Sequence, residues 1–68
     1  MSREYYVHSP GATLRTVAEN PEQAVQNWAT WAQRSGHRFQ DGIEYVEIEG
    51  VKYEVRLQIH VYVSKIER

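Results

Sequence analysis

The sequence predicts an α+β domain in two layers: a four-stranded antiparallel sheet, in chain order ββαββ, with one α-helix packed on one face. Three patterns carry that expectation. Residues 51–63 alternate apolar and polar without a break, residues 20–36 hold the start and stop signals of a helix, and two pairs of β-rich runs are each joined by a two-residue turn. A chain of 68 residues has room for one hydrophobic core, so 1–68 is read as a single domain.

The first pair begins at residues 3–8, Arg-Glu-Tyr-Tyr-Val-His, a run of good strand formers. Ser9-Pro10-Gly11-Ala12 follows. Proline is pre-set for the first central turn position, and glycine takes positive φ at the second. Residues 13–18 then return as a strand. Counting outward from the turn sets His8 opposite Thr13, Val7 opposite Leu14, Tyr6 opposite Arg15 and Tyr5 opposite Thr16. Tyr5, Val7 and Leu14 share one face, and Tyr6, His8 and Arg15 share the other.

Asn20-Pro21-Glu22-Gln23 opens the helix. Asn20 suits the cap, Pro21 the first helical position, Glu22 the positive end of the helix dipole, and Gln23 the return arm of a capping box. Ala24, Val25, Trp28, Ala29, Trp31 and Ala32 recur at spacings of three and four, a stripe along one helix face. Arg34 lies in the last turn and Gly36 just past it, where a terminating glycine belongs. The helix is expected over 21–35, a rod of roughly 22 Å. Residues 37–42 read as connection, with Asp41-Gly42 a strong turn dipeptide.

The last third is expected to form the second hairpin. Residues 43–48 alternate, Glu49-Gly50 is the turn, and Ile48 then faces Val51, Glu47 faces Lys52, Val46 faces Tyr53 and Tyr45 faces Glu54. Apolar pairs fall on one face and an opposite-charge pair on the other, and a slip by one residue destroys both matches. From Val51 the alternation continues to Val63, which predicts one strand of about 43 Å. Its partner over 43–48 matches only the first half. Leu57, Ile59, Val61 and Val63 then need neighbours. The N-terminal strand lying beside that half would supply them, as would a second copy of the chain, by sheet continuation or face-to-face packing.

Composition narrows the function classes. The hydrophobic share of 41% and charged share of 25% are those of a globular chain. No cysteine is present, which removes disulfides and thiolate metal sites and suits the cytoplasm. Eight basic and nine acidic side chains leave a net charge of −1, with no pull toward a polyanion. No run approaches a membrane span and the N-terminus has no apolar signal core, so neither spanning nor secretion is expected. The start at Met1 suits a complete small gene product.

No catalytic, metal or cofactor site is expected. His8, His37 and His60 are the groups suited to proton transfer near neutral pH, and none stands in a motif; they read as surface or turn histidines. Glu47 and Glu49 read as solubilising charge beside Lys52, and the four glycines as turn and cap residues rather than a phosphate loop. The aromatics say more. Trp28 belongs to the core, while Trp31 lies on or beside the apolar stripe and is the candidate to flank it and meet a partner. Tyr6, Arg15, Trp31, Arg56, His60 and Tyr62 are the candidate partner-binding residues. The expected function is a small non-enzymatic protein-binding module, an adaptor, inhibitor or regulator. A phage or mobile-element accessory protein fits that description. The module would act through an exposed sheet face or strand edge, toward another protein or as a homodimer. The alternative is a nucleic-acid-binding domain in which Tyr6, Tyr62, His60 and Arg56 of the sheet face meet bases.

Overall fold

The computed structural model describes residues 1–39, 41–57 and 61–66. Among them the elements run β1 (Arg3–Ser9), β2 (Ala12–Ala18), α1 (Pro21–Arg34), β3 (Ile43–Ile48), β4 (Val51–Leu57) and β5 (Val61–Lys65). The strands make one antiparallel sheet in the spatial order β2-β1-β3-β4-β5. Helix α1 packs on one face of it, touching β1 and β2 on one side and β4 and β5 on the other.

Both turn-derived registers are present. Val7 faces Leu14 and Tyr6 faces Arg15 in the first hairpin, and Ile48 faces Val51 and Glu47 faces Lys52 in the second. The second turn has φ of 51° at Glu49 and 82° at Gly50. Positive φ at both central residues matches the twist of the flanking strands. Glycine adopts it freely, whereas Glu49 does so against a steric penalty.

Helix α1 starts where the sequence places it and ends one residue sooner, with Ser35 as its C-cap. Asn20 Oδ1 accepts the Gln23 N–H at 2.8 Å, and the Gln23 side chain reaches back to the Glu19 N–H at 2.6 Å. At the other end the Gly36 N–H donates to the Gln33 carbonyl and the His37 N–H to the Ala32 carbonyl. Those two bonds define a Schellman ending, which needs the positive φ that Gly36 supplies.

The four-stranded ββαββ arrangement is corrected to five strands. The segment read as one strand over 51–63 is two: β4 and β5 pair antiparallel, with Leu57 opposite Val61, Val55 opposite Val63 and Arg56 opposite Tyr62. The neighbours that the far half needed come from the chain itself, because it folds back on β4. The overlong strand therefore gives no reason for a second copy. The N-terminal strand also lies elsewhere than expected, beside β3, where His8 faces Glu47.

The core forms between the sheet and α1. Tyr5, Val7, Val46, Ile48, Tyr53 and Val55 meet Ala24, Val25, Trp28, Ala29 and Ala32. Three alanines let the helix approach the sheet closely, and Trp28 fills the volume that remains, with none of its surface exposed. His37 and Phe39 close over Trp28, their rings edge-on to it at 5.8 and 5.6 Å between centroids. His37 is thus half-buried rather than a free turn histidine, and its Nε2 lies 3.1 Å from the Glu44 carboxylate. No helix among the described residues is long and apolar enough to cross a membrane.

Candidate functional site: the outer sheet face

The side chains that alternate away from the core form the second face of the sheet, which α1 does not cover. In spatial order it carries Thr13, Arg15 and Val17 from β2, then Glu4, Tyr6 and His8 from β1. Ile43, Tyr45 and Glu47 follow from β3, Lys52, Glu54 and Arg56 from β4, and Tyr62 and Ser64 from β5. Tyr6, Tyr45 and Tyr62 are each about half exposed, and Val17 is more exposed still.

Two groups stand out on this face. On β1 and β2, Tyr6 is directly opposite Arg15. The Tyr6 hydroxyl donates to Glu4 at 3.2 Å and Arg15 Nε lies 3.4 Å from the same carboxylate. On β3, β4 and β5, Arg56 is opposite Tyr62 and Tyr45 is opposite Glu54. Arg56 Nε donates to Glu54 at 2.7 Å, and the Tyr45 hydroxyl donates to it at 3.4 Å. The Arg56 hydrogen bond holds the Glu54 carboxyl below the usual carboxylate range, against the opposing effect of its partial burial. Strand spacing and rise put Tyr6 and Tyr62 roughly 25 Å apart, so the face offers two aromatic groups with Tyr45 between them.

The structure thus brings Tyr6 together with Arg15, and Arg56 together with Tyr62. Trp31 does not join them. It is 40% exposed on α1, in the layer on the other side of the sheet. His60 lies outside the described residues. Tyr45 and Glu54 belong to the second group although neither was a candidate from sequence. The signal was present in the hairpin register, which already set them opposite one another on the polar face. Beside Tyr45, Arg38, Asp41, Ile43 and Glu44 line an open depression of about 400 Å³. Among the described residues no group of three or more histidines and carboxylates is placed to hold a metal ion.

Electrostatically the face is self-neutralised. Arg15 is engaged by Glu4 and Arg56 by Glu54, and Lys52 stands opposite Glu47. Exposed pairs of this kind add little stability. They do fix the arginine side chains and leave a surface of mixed, balanced charge.

The fold and this face define a small α+β domain, five antiparallel strands with a helix on one side and an aromatic, charge-balanced surface on the other. Comparison with protein-family models, with curated proteins and with solved structures finds no match to the chain.

Proposed function

We propose that this chain is a non-enzymatic protein-binding module, an adaptor, inhibitor or regulator, that engages its partner with the outer sheet face. The observation that carries this reading is the row of half-exposed tyrosines, Tyr6, Tyr45 and Tyr62, on a hydrogen-bonded sheet. Tyrosine offers a large contact area with few rotatable bonds, and a sheet holds it in place, so little entropy is lost on docking. Restrained arginines add directional hydrogen bonding at the same surface. The carboxylates paired with Arg15 and Arg56 weigh against the nucleic-acid alternative, because phosphate neutralisation needs uncompensated cations.

The test places a photoreactive phenylalanine analogue at position 45 or 62, and in a control at Gln26 on the exposed side of α1, in cells that make the protein. The expected result is one discrete adduct with a different polypeptide from the sheet-face positions and none from position 26. No adduct from the sheet face, or equal capture from the helix, overturns the reading. Binding of the purified protein to single-stranded oligonucleotides at low salt, lost when Arg56 and Tyr62 are replaced, establishes the alternative instead.

A further inference from the structure

Strand β5 is an edge of the sheet and the last strand in the chain. Its five pairs with β4 run from Leu57 with Val61 out to Tyr53 with Lys65, and both members of every pair lie equally far from position 59. The pairs therefore join odd positions with odd and even with even. In the other two hairpins they join odd with even, as Val7 with Leu14 and Ile48 with Val51 do. The difference matters when a hairpin opens into one straight strand. Side chains alternate along a strand, so straightening either of the first two hairpins would turn the core side of one half to the solvent. Straightening β4 and β5 leaves Val55, Leu57, Val61 and Val63 on one side.

The sequence does not oppose the straight form. Gln58-Ile59-His60 continues the alternation of polar and apolar residues and holds no glycine, proline, asparagine or aspartate. Two straight chains laid antiparallel, with a two-fold axis at position 59, make every one of the β4–β5 pairs twice, now between chains. The place beside β4 is then filled by the same segment, in the same register, from another molecule. β5 also rests against α1, and that packing is exchanged with it.

We infer that two copies of this chain exchange β5, forming a dimer joined by two straight strands over residues 51–65. Within a single chain the far half already has its neighbours, so the monomer lacks nothing. The exchanged dimer is an alternative built from the same pairs and favoured by concentration. Passage between the two forms requires β5 to leave β4 and α1, so the dimer is reached by refolding. In it Arg56 faces the partner's Tyr62, and the second aromatic group of the outer face is completed by both chains. The tyrosine face itself exists in monomer and dimer alike, so its reading as a binding surface and the exchange of β5 stand or fall separately.

The test refolds the full chain from urea at about 1 mM, where mass action favours the dimer, and separates the products by size. A species of twice the 8.0 kDa monomer mass is expected. Its connection is read by cross-linking. The chain has no cysteine, and Glu54 faces Ser64 on the exposed side of the β4–β5 ladder. Chains carrying Glu54→Cys and chains carrying Ser64→Cys are refolded together and oxidised. Facing residues on neighbouring strands, with Cα atoms about 4.5–5.5 Å apart, lie within reach of a disulfide. A mixed disulfide between the two kinds of chain, above its statistical share, is expected from the exchanged dimer. His60→Gly supplies the residue that a three-residue hairpin loop favours and weakens the straight strand in both chains. It is expected to weaken dimerisation at least about fivefold, with circular dichroism unchanged. A wild type that refolds wholly to monomer overturns the inference. So does a dimer with no excess of the mixed disulfide, or a folded His60→Gly chain that dimerises as well as the wild type.

Discussion

Arg56 and Tyr62 stand directly opposite each other on neighbouring strands, on the open face of the sheet. The same arginine donates to Glu54 at 2.7 Å, two residues away on its own strand, so its charge is engaged along β4 while Tyr62 is its register partner on β5.

That bond has a readable titration. The Glu54 carboxyl is held below its ordinary value chiefly by the hydrogen bond from Arg56. A folded-state value below the unfolded one contributes stability that is present above the unfolded value and lost as pH falls through the folded one. Replacement by a methionine, Arg56→Met, is expected to return Glu54 toward the usual carboxylate range. Carbon-detected NMR of the carboxyl group between pH 2 and 6 follows this directly. A Glu54 midpoint unmoved by the substitution would contradict the assignment.

Tyr53 gives the alkaline counterpart. It is buried in the core, and its phenol is raised above the ordinary value of 10.0, first by desolvation and then by nearby carboxylates including Glu22. For a raised value the stabilising contribution is fully present below the unfolded value and disappears as pH rises through the folded one. Stability is therefore expected to decline from about pH 10 upward. Tyr53→Phe is expected to flatten that decline while leaving neutral-pH stability nearly unchanged. Urea midpoints measured from pH 8 to 11.5 check both halves of the statement.

Trp28 separates volume from polarity. Its indole is fully buried, and Nε1 has no acceptor among the described residues. Trp28→Ala leaves a cavity beneath α1, at about 3–5 kcal/mol, enough to unfold most of a domain this small. In Trp28→Phe, part of the volume is lost but so is the unsatisfied N–H, and these effects oppose one another. The phenylalanine variant is expected to stay within about 1.5 kcal/mol of the wild type by chemical denaturation. A loss as large as that of the alanine variant would contradict this balance of the two effects.

Two turn positions respond in opposite directions. Gly42 has φ of +74°, and a Cβ there would meet the Leu57 carbonyl oxygen at 3.1 Å. Gly42→Ala is expected to cost about 1–2 kcal/mol. Glu49 holds φ of 51° without being a glycine, so Glu49→Asn, which tolerates that region, is expected to gain up to about 1 kcal/mol. The gain is net of the exposed Arg3–Glu49 ion pair, a contact of little worth. Thermal melts of the two variants in one buffer decide the signs.

The contrast between what the sequence disclosed and what it concealed has a geometric cause. The cap at Asn20, the end at Gly36 and both two-residue turns were legible because each needs particular residue types at fixed spacing. The reversal between β4 and β5 was not. Positions 58–60 are odd in number, so the fold pairs odd residues with odd: Leu57 with Val61 and Val55 with Val63. A period of two passes through such a reversal unchanged, and no glycine, proline, asparagine or aspartate marks it. Only length offered a hint, since an uninterrupted strand over 51–63 would far exceed the usual five or six residues. At the candidate site the pairing of Tyr6 with Arg15 followed from the first turn. The meeting of Arg56 with Tyr62 depended on the hidden reversal, and Trp31 was assigned to the right helix without the layer that separates it from the others.

The seam between β1 and β3, where His8 faces Glu47, has a kinetic consequence. Every other junction in the sheet joins consecutive strands and can zip from a short local closure. This one must draw together segments with all of α1 between them. The entropic cost of that ring grows only slowly with length, but non-local pairing is what slows folding in small domains. The meander β3–β4–β5 and the β1–β2 hairpin are thus the natural early units. Docking of the helix onto both would form the bottleneck through which the molecule becomes one cooperative body.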